Sequence, residues 1–319
     1  MSRILITGAG LIGQQCARLL SARGQACTLV DIRQPSPAVL AMPGVEFVEA
    51  DILRAPLNGL LDGVDGVLHT AAMLSTGLRA DPLRGLEVNI LGTARLLEAC
   101  RAAGVRRFVQ ASSATVVYAG FPVLGPGPIP EDASLGLVSH RPGSLYALTK
   151  QSCEHLALLW RDLYGLSTVS LRFAAVVGGD ADTPTSVPGR LMSRLIAAAR
   201  AGGAHLLDDP FLWWDGTEEF IDPRDCGHAM IAALDAVDPA QGVYAIANPK
   251  GWTLDAVAAE IASRFGAFTL TVPDHPPSGF AGFAHVRPAP TDLSAAAREL
   301  GFSARHELGD TLQTWWSAA

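Results

Sequence analysis

The chain has 319 residues, 49% of them hydrophobic and 17% charged, with a net charge of −7 and no block of basic residues. That length suits two domains or one domain with a lobe, and the composition is that of a globular chain with a sizeable core. The acidic balance argues against nucleic acid as a partner. The cysteines (Cys16, Cys27, Cys100, Cys153 and Cys226) stand far apart without a Cys-x-x-Cys pair. They read as buried thiols of a reducing, cytoplasmic setting, and they offer no metal motif. A strand starting at Ile4 leaves no room for a signal peptide, and no apolar run is long enough to span a bilayer.

Ile4-Leu5-Ile6-Thr7 reads as a buried strand. It breaks into Gly8-Ala9-Gly10-Leu11-Ile12-Gly13, after which Cys16, Ala17, Leu19 and Leu20 recur at helical spacing. A strand feeding a helix through Gly-x-Gly-x-x-Gly is a dinucleotide-binding pattern. Gly8 permits the turn, Gly10 lets a pyrophosphate approach the backbone, and Gly13 lets the helix sit close to the sheet. The free N–H groups at Leu11 and Ile12 and the positive helix end would face the phosphates. A second apolar run, from Ala26 to Val30, ends in Asp31, where a carboxylate would accept from a ribose 2′-hydroxyl and repel a 2′-phosphate. That favours NAD over NADP, with Arg33 as the residue that would speak for a phosphate.

Val45–Glu49 alternates as a third strand, and Asp51-Ile52 follows where an adenine ring could rest. Gly66–Ala72 reads as a fourth strand. His69 near its end is a packing histidine, while Thr70 and the small Ala71 and Ala72 leave room for a cofactor. Pro82 to Ala103 predicts a long helix with Leu86, Ile90, Leu96 and Leu97 inward and Asn89 off that face. Val105–Ala111 is a fifth strand, followed by Ser112-Ser113. The stretch from Ala119 to Gly143 is rich in Gly and Pro without periodicity. Leu145–Tyr164 is a second long helix and Thr168–Phe173 a sixth strand. Alternating strands and helices predict an α/β fold with a doubly wound parallel sheet. Beyond residue 178 the pattern loosens. Helices are predicted at 189–202, 224–236 and 254–265, strands at 220–221 and 243–247, a loop over 204–216, and short helices at 293–300 and 308–315. We divide the chain into a cofactor domain, 1–178, and a smaller mixed substrate lobe, 179–319, with 220–247 packing back on the first.

Tyr146 and Lys150 lie one turn apart near the start of the second long helix. A phenol, with a pKa of about 10, is a poor base at neutral pH. A neighbouring ammonium and an oxidised nicotinamide would lower it toward the range for proton transfer. Only Lys150 and Lys250 are lysines, against 22 arginines, so a lysine retained here suits a compact ammonium that can also reach a ribose hydroxyl. Ser113 ends the fifth strand at the sheet edge where ligands bind and would hold the substrate oxygen. Substrate anchors would come from Met73, Ala114, His140, Arg141, Arg190 and Trp214.

These pieces, in this order, resemble the extended short-chain dehydrogenase/reductase superfamily, also called the NAD-dependent epimerase/dehydratase family. They comprise the Gly8–Gly13 turn, Asp31, Asp51-Ile52, His69-Thr70-Ala71-Ala72, Asn89-Ile90-Leu91-Gly92-Thr93, Ser112-Ser113-Ala114, Tyr146 to Lys150, Leu171-Arg172-Phe173, and Phe220-Ile221-Asp222 with Asp225. The resemblance implies a Rossmann-type fold with bound NAD, and hydride transfer at nicotinamide with Ser113, Tyr146 and Lys150 as catalytic trio. It implies cofactor contacts that extend to Ala111, Phe173, Ala175 and Val176. It also implies a homodimer through helices 82–103 and 145–164. Three departures bear on the substrate. The glycine turn is one residue shorter than usual. Ala174 and Ala175 stand where nucleotide-sugar enzymes usually carry an Asn, and Glu218 and Glu219 where an arginine usually clamps phosphates. The resulting reading is an NAD-dependent dehydrogenase or reductase for a small polyhydroxylated substrate without a nucleotide, a sugar or sugar acid. The alternatives are an NAD-retaining epimerase and a non-catalytic dinucleotide sensor.

Overall fold

The computed structural model describes residues 3–133, 144–178 and 186–317. Its strands in chain order are β1 Arg3–Thr7, β2 Cys27–Asp31, β3 Val45–Glu49, β4 Val64–His69, β5 Arg107–Ser113, β6 Thr168–Phe173, β7 Ala175–Val176, β8 Gly203–Leu206, β9 Glu218–Ile221, β10 Val243–Ile246, β11 Gly251–Trp252 and β12 Phe268–Thr271. Seven of them form one sheet in the order β10-β6-β5-β4-β1-β2-β3, and every neighbouring pair is parallel. Chain order reverses between β1 and β4, so a crevice opens there at the C-terminal strand ends. The central strands are covered on both faces: Ile4, Leu5, Ile6, Val67, Leu68, Phe108 and Val109 are all fully buried. The fold is the Rossmann-type α/β sheet that the alternation predicts.

Two small sheets lie beyond it. β9 pairs parallel with β7 and antiparallel with β11, and β8 pairs parallel with β12. Leu191, Met192, Leu195, Trp213, Trp214, Trp252, Val257 and Ile261 form a separate apolar cluster beside them. The 204–216 stretch is therefore not loop throughout, since its first residues belong to β8. Three or four residues with a partner 65 positions away carry no periodic pattern of their own. β10 returns to the main sheet next to β6, and the Pro223–Asp235 helix packs on Leu11–Ala22, with Gly227 against Gln15.

Two helices position the site. Leu145–Tyr164 begins where the Ser144 hydroxyl accepts from the Ala147 N–H at 3.0 Å, and it stops at Gly165 in the left-handed conformation. The predicted Pro82–Ala103 helix is three pieces: Pro82–Leu86, one π-helical turn at Glu87–Leu91, and Gly92–Ala103. That wider turn changes which residues face inward. Asn89, expected off the apolar face, is only 2% exposed, whereas Leu86 and Ile90 are half-buried.

The Leu145–Tyr164 helix is pinned by charge. Glu154 is buried and takes a two-pronged bond from Arg172 of β6 (Nε 2.9 Å, Nη2 2.8 Å) and one from the Ser112 hydroxyl of β5 at 2.5 Å. The remaining Arg172 nitrogen donates to the carbonyls of Glu131 and Ala133. Arg172→Leu leaves Glu154 charged and unpaired in the interior, so we expect a loss of about 3–5 kcal/mol. Urea denaturation measures it.

Candidate active site

The crevice is floored by the glycine turn. Gly8 has φ of +92°, and a Cβ there would lie 2.5 Å from the Ala71 nitrogen. A Cβ on Gly13 would lie 1.9 Å from the Gly8 carbonyl oxygen. Around Gly10, by contrast, a Cβ would meet nothing within 4 Å. Two glycines are thus demanded by the chain's own packing, and the middle one faces open space. The helix that follows, Leu11–Ala22, has no side-chain cap and no acidic residue in its first turn, so its N–H groups at Leu11 and Ile12 remain available to an anion.

Asp31 stands beside this turn. Its Oδ2 accepts from the Ala9 N–H at 2.7 Å and its Oδ1 from the Arg33 N–H at 3.0 Å. The Arg33 contact made in the structure is through its backbone. Thr70 closes the turn from β4, its hydroxyl 3.0 Å from both the Thr7 and Gly8 carbonyls. His69 is a packed residue: its ring lies 2.6 Å from the Thr7 hydroxyl and 2.8 Å from that of Thr93. Burial, with Lys150 adding to it, lowers its pKa to about 3, so it stays neutral. Asp51 bonds the Leu53 N–H and pairs with Arg84 at 2.7 Å. Ile52 is 5% exposed and touches the space above Gly92, so its side chain is core rather than an open rest for a ring. Ala71, Ala72 and Met73 are half-buried. The Asn89 amide accepts from the Met73 N–H (2.8 Å) and donates to the Met73 carbonyl and the Thr149 hydroxyl (3.0 Å each), tying the wall after β4 to the Leu145–Tyr164 helix.

Across this wall stand Tyr146, Lys150 and Ser113. Lys150 is buried and its Nζ donates to the Ala111 carbonyl of β5 at 2.7 Å, while lying 5.7 Å from the Tyr146 ring centroid. Tyr146 is half-buried, and among the described residues its hydroxyl has no hydrogen-bond partner. Ser113 lies at the end of β5 with its Oγ 2.9 Å from the Thr115 Oγ1. The electrostatics correct the sequence expectation. Burial raises the Tyr146 phenol above its ordinary value, with the Cys153 thiol adding to the effect. Burial likewise lowers the Lys150 ammonium. The reason is geometric: the ammonium is itself buried, is bonded to the Ala111 carbonyl and makes no hydrogen bond to the phenol.

The other sequence candidates divide. The Ala114 N–H donates to the Phe173 carbonyl at 2.8 Å, which continues the β5–β6 ladder past Ser113, and Phe173 is buried. Ala175 and Val176 form β7 and are half-buried. Arg190 is bonded to Asp209, and so is not a free cation. Trp214 is core: it is 5% exposed, donates to the Trp252 carbonyl at 3.1 Å and packs edge-on to Phe220 and Phe280. His140 and Arg141 lie outside the described residues. Among the described residues, no three His, Cys, Asp or Glu side chains gather to hold a metal, and no helix is long and apolar enough to cross a membrane.

Sequence reasoning missed a buried charge cluster around Arg287. Arg287 bonds Glu218 through Nη2 (2.6 Å) and Nε (3.1 Å), and reaches Glu219 at 3.2 Å and the Tyr118 hydroxyl at 3.1 Å. Glu219 also accepts from the Thr291 hydroxyl at 2.7 Å. Arg287, Glu218, Glu219 and Tyr118 are all buried, and Thr291 is half-buried. Burial pushes Glu218 above the usual carboxylate range, although Arg287 opposes it. Arg287 stands in a Pro-rich stretch 69 positions from Glu218, and no local spacing announces such a pair.

Residues 4–247 match the model of the NAD dependent epimerase/dehydratase family. The chain belongs to that family. Among its relatives, the uncharacterized UDP-glucose epimerase YtcB of Bacillus subtilis is 31% identical over 73% of this chain and 72% of its own. The uronate dehydrogenase of Pseudomonas putida is 27% identical over 78% of this chain and 97% of its own. Of solved structures, MoeE5 in complex with UDP-glucuronic acid and NAD superposes with a TM-score of 0.78 at 28% identity, covering 99% of both chains. Relatives of the chain are thus named for a nucleotide sugar and for a uronate.

The glycines make separable demands. Gly13→Ala drives a Cβ into the Gly8 carbonyl and should cost about 1–3 kcal/mol of stability. Gly10→Ala, with an extended backbone and open space around it, should leave the melting temperature unchanged. Thermal unfolding of the two variants checks the contrast.

Proposed function

We propose that the protein is an NAD-dependent oxidoreductase that moves a hydride between nicotinamide and a secondary alcohol or ketone of a small polyhydroxylated substrate carrying no nucleotide. The cofactor half rests on the turn: open space at Gly10, an uncapped helix end and Asp31 beside it suit a dinucleotide with a free ribose 2′-hydroxyl. Residues 1–178 would carry the cofactor and 179–319 most of the substrate wall. Bound NAD supplies the hydride acceptor and, when oxidised, a positive charge. Ser113 Oγ would hold the substrate oxygen, and Tyr146 would take its proton. Lys150 would keep a positive charge beside the phenol and reach the nicotinamide ribose. The observation that carries the reading is the arrangement of Tyr146: a half-buried phenol with no hydrogen-bond partner among the described residues, one helical turn from a buried ammonium.

The absence of a nucleotide is argued from Arg287. This cation lies against the wall where related nucleotide-sugar enzymes clamp phosphates, and Glu218 and Glu219 answer its charge twice over. A diphosphate placed there would face carboxylates rather than a free guanidinium. The free, buried cysteines suit a reducing compartment such as the cytoplasm. Exposed Leu83, Leu91, Leu148, Leu159 and Leu163 on the two long helical segments suit a homodimer formed through them.

An epimerase that returns the hydride would use the same trio. It would turn over sugar with no net formation of reduced cofactor, and NAD would survive purification.

Tyr146→Phe should bind NAD as the wild type does and lose turnover by on the order of 100-fold or more. Stopped assays of reduced-cofactor formation over a panel of sugars and sugar acids read this, and full activity in the variant overturns the assignment. Because burial raises the Tyr146 pKa, the phenolate is the minor form at neutral pH. Oxidation should therefore speed up as pH rises, by up to roughly tenfold per unit, and reduction should slow.

A further inference from the structure

Arg79 lies in the last turn of the Ser75–Ala80 helix, which follows the crevice end of β4 and packs on the helix bearing Tyr146 and Lys150. Its guanidinium carbon is 3.6 Å from the centroid of the Phe211 ring, which belongs to the opposite, C-terminal wall. The ring has a built seat: Gly282 has φ of +78°, and a Cβ there would lie 2.5 Å from the Phe211 Cε1. Stacking holds the guanidinium by its face and leaves its N–H edge unused. Among the described residues, none gives Arg79 a hydrogen bond or a salt bridge.

The local charge does not balance. Arg190 takes Asp209 and Arg194 takes Asp208. Asp209 is engaged elsewhere, its Oδ2 by Arg190 and its Oδ1 by the Phe211 N–H at 3.0 Å, and it forms no salt bridge with Arg79. Among the described residues, three guanidiniums therefore stand against two carboxylates. Arg79 is an exposed residue whose charge partial burial and the neighbouring Arg190 disfavour and Asp209 supports, so a further anion there would relieve what Asp209 leaves of that cost. One excess positive charge on a flat, edge-open guanidinium suits a monoanionic carboxylate, taken through two parallel hydrogen bonds, better than a diphosphate.

We propose that Arg79 binds the carboxylate of the substrate, which makes the substrate a free sugar acid. This rests on the functional reading above and adds to it the group that selects the substrate. Arg79 acts in binding and takes no part in the hydride or proton step.

The test is calorimetry on the full-length protein saturated with NADH, a state that binds substrate without oxidising it. The probes are D-glucuronate and D-galacturonate, their neutral hexoses, and glucose 6-phosphate. The wild type should bind one uronate on the order of 10- to 100-fold more tightly than its hexose. Arg79→Gln should lose that preference with NADH affinity unchanged, Arg79→Lys should restore part of it, and Arg194→Gln should keep it in full. An unchanged preference in Arg79→Gln overturns the assignment, as does a wild type that binds uronate no better than hexose. Tighter binding of the phosphate ester than of either uronate also overturns it, in favour of a phosphate site. If NADH itself does not bind, the functional reading fails together with this one. If NADH binds without uronate preference, only the role of Arg79 fails.

Discussion

The bond from Lys150 Nζ to the Ala111 carbonyl is the constraint on which the site depends. It places an ammonium inside the protein, at the end of β5, beside the ring of Tyr146. A buried charge of this kind is tolerable only where donors are satisfied and the helix cannot shift. Three contacts meet that need. Glu154, one turn further along, is locked to Arg172 and Ser112. Thr149 accepts from Asn89, and Gln110 of β5 donates to the Cys153 carbonyl. The helix is thus fastened to β5, β6 and the π-helical turn at once, and the phenol is carried to the crevice by a rigid element.

Much of this was legible in the chain. The glycine turn, the strand ends and the full extent of Leu145–Tyr164 follow from patterns within a single element, where periodicity and caps act over a few residues. What escaped depends on distant partners. Nothing local shows that Asn89 turns inward, because the π-helical turn that rotates it is stabilised by contacts to Met73 and Thr149. Trp214 reads as a substrate anchor in a loop, yet its ring is claimed by Phe220, Phe280 and the Trp252 carbonyl. That burial raises the Tyr146 phenol was not legible, since the cost of burial depends on packing that spacing does not reveal.

Charge on the substrate side follows one logic. Arg287, Arg190 and Arg194 are each answered by carboxylates of the protein, and Arg79 is left stacked and open. Relatives named for a nucleotide sugar and for a uronate need some such difference to separate them. In this chain the deep cation is neutralised internally, while a shallower one at the junction of the two walls is not. Specificity would then rest on which guanidinium is left without a partner, within a shared hydride-transfer apparatus.

Under the proposed function, the Lys150 charge would control the Tyr146 proton once cofactor is bound. The direct measurement is the phenolate absorbance of Tyr146, taken as the difference between protein with Tyr146 and with Tyr146→Phe, titrated with saturating NAD in wild-type and Lys150→Met backgrounds. The account predicts a Tyr146 pKa that is lower with Lys150 present than with Met in its place. Identical titration curves in the two backgrounds would contradict it.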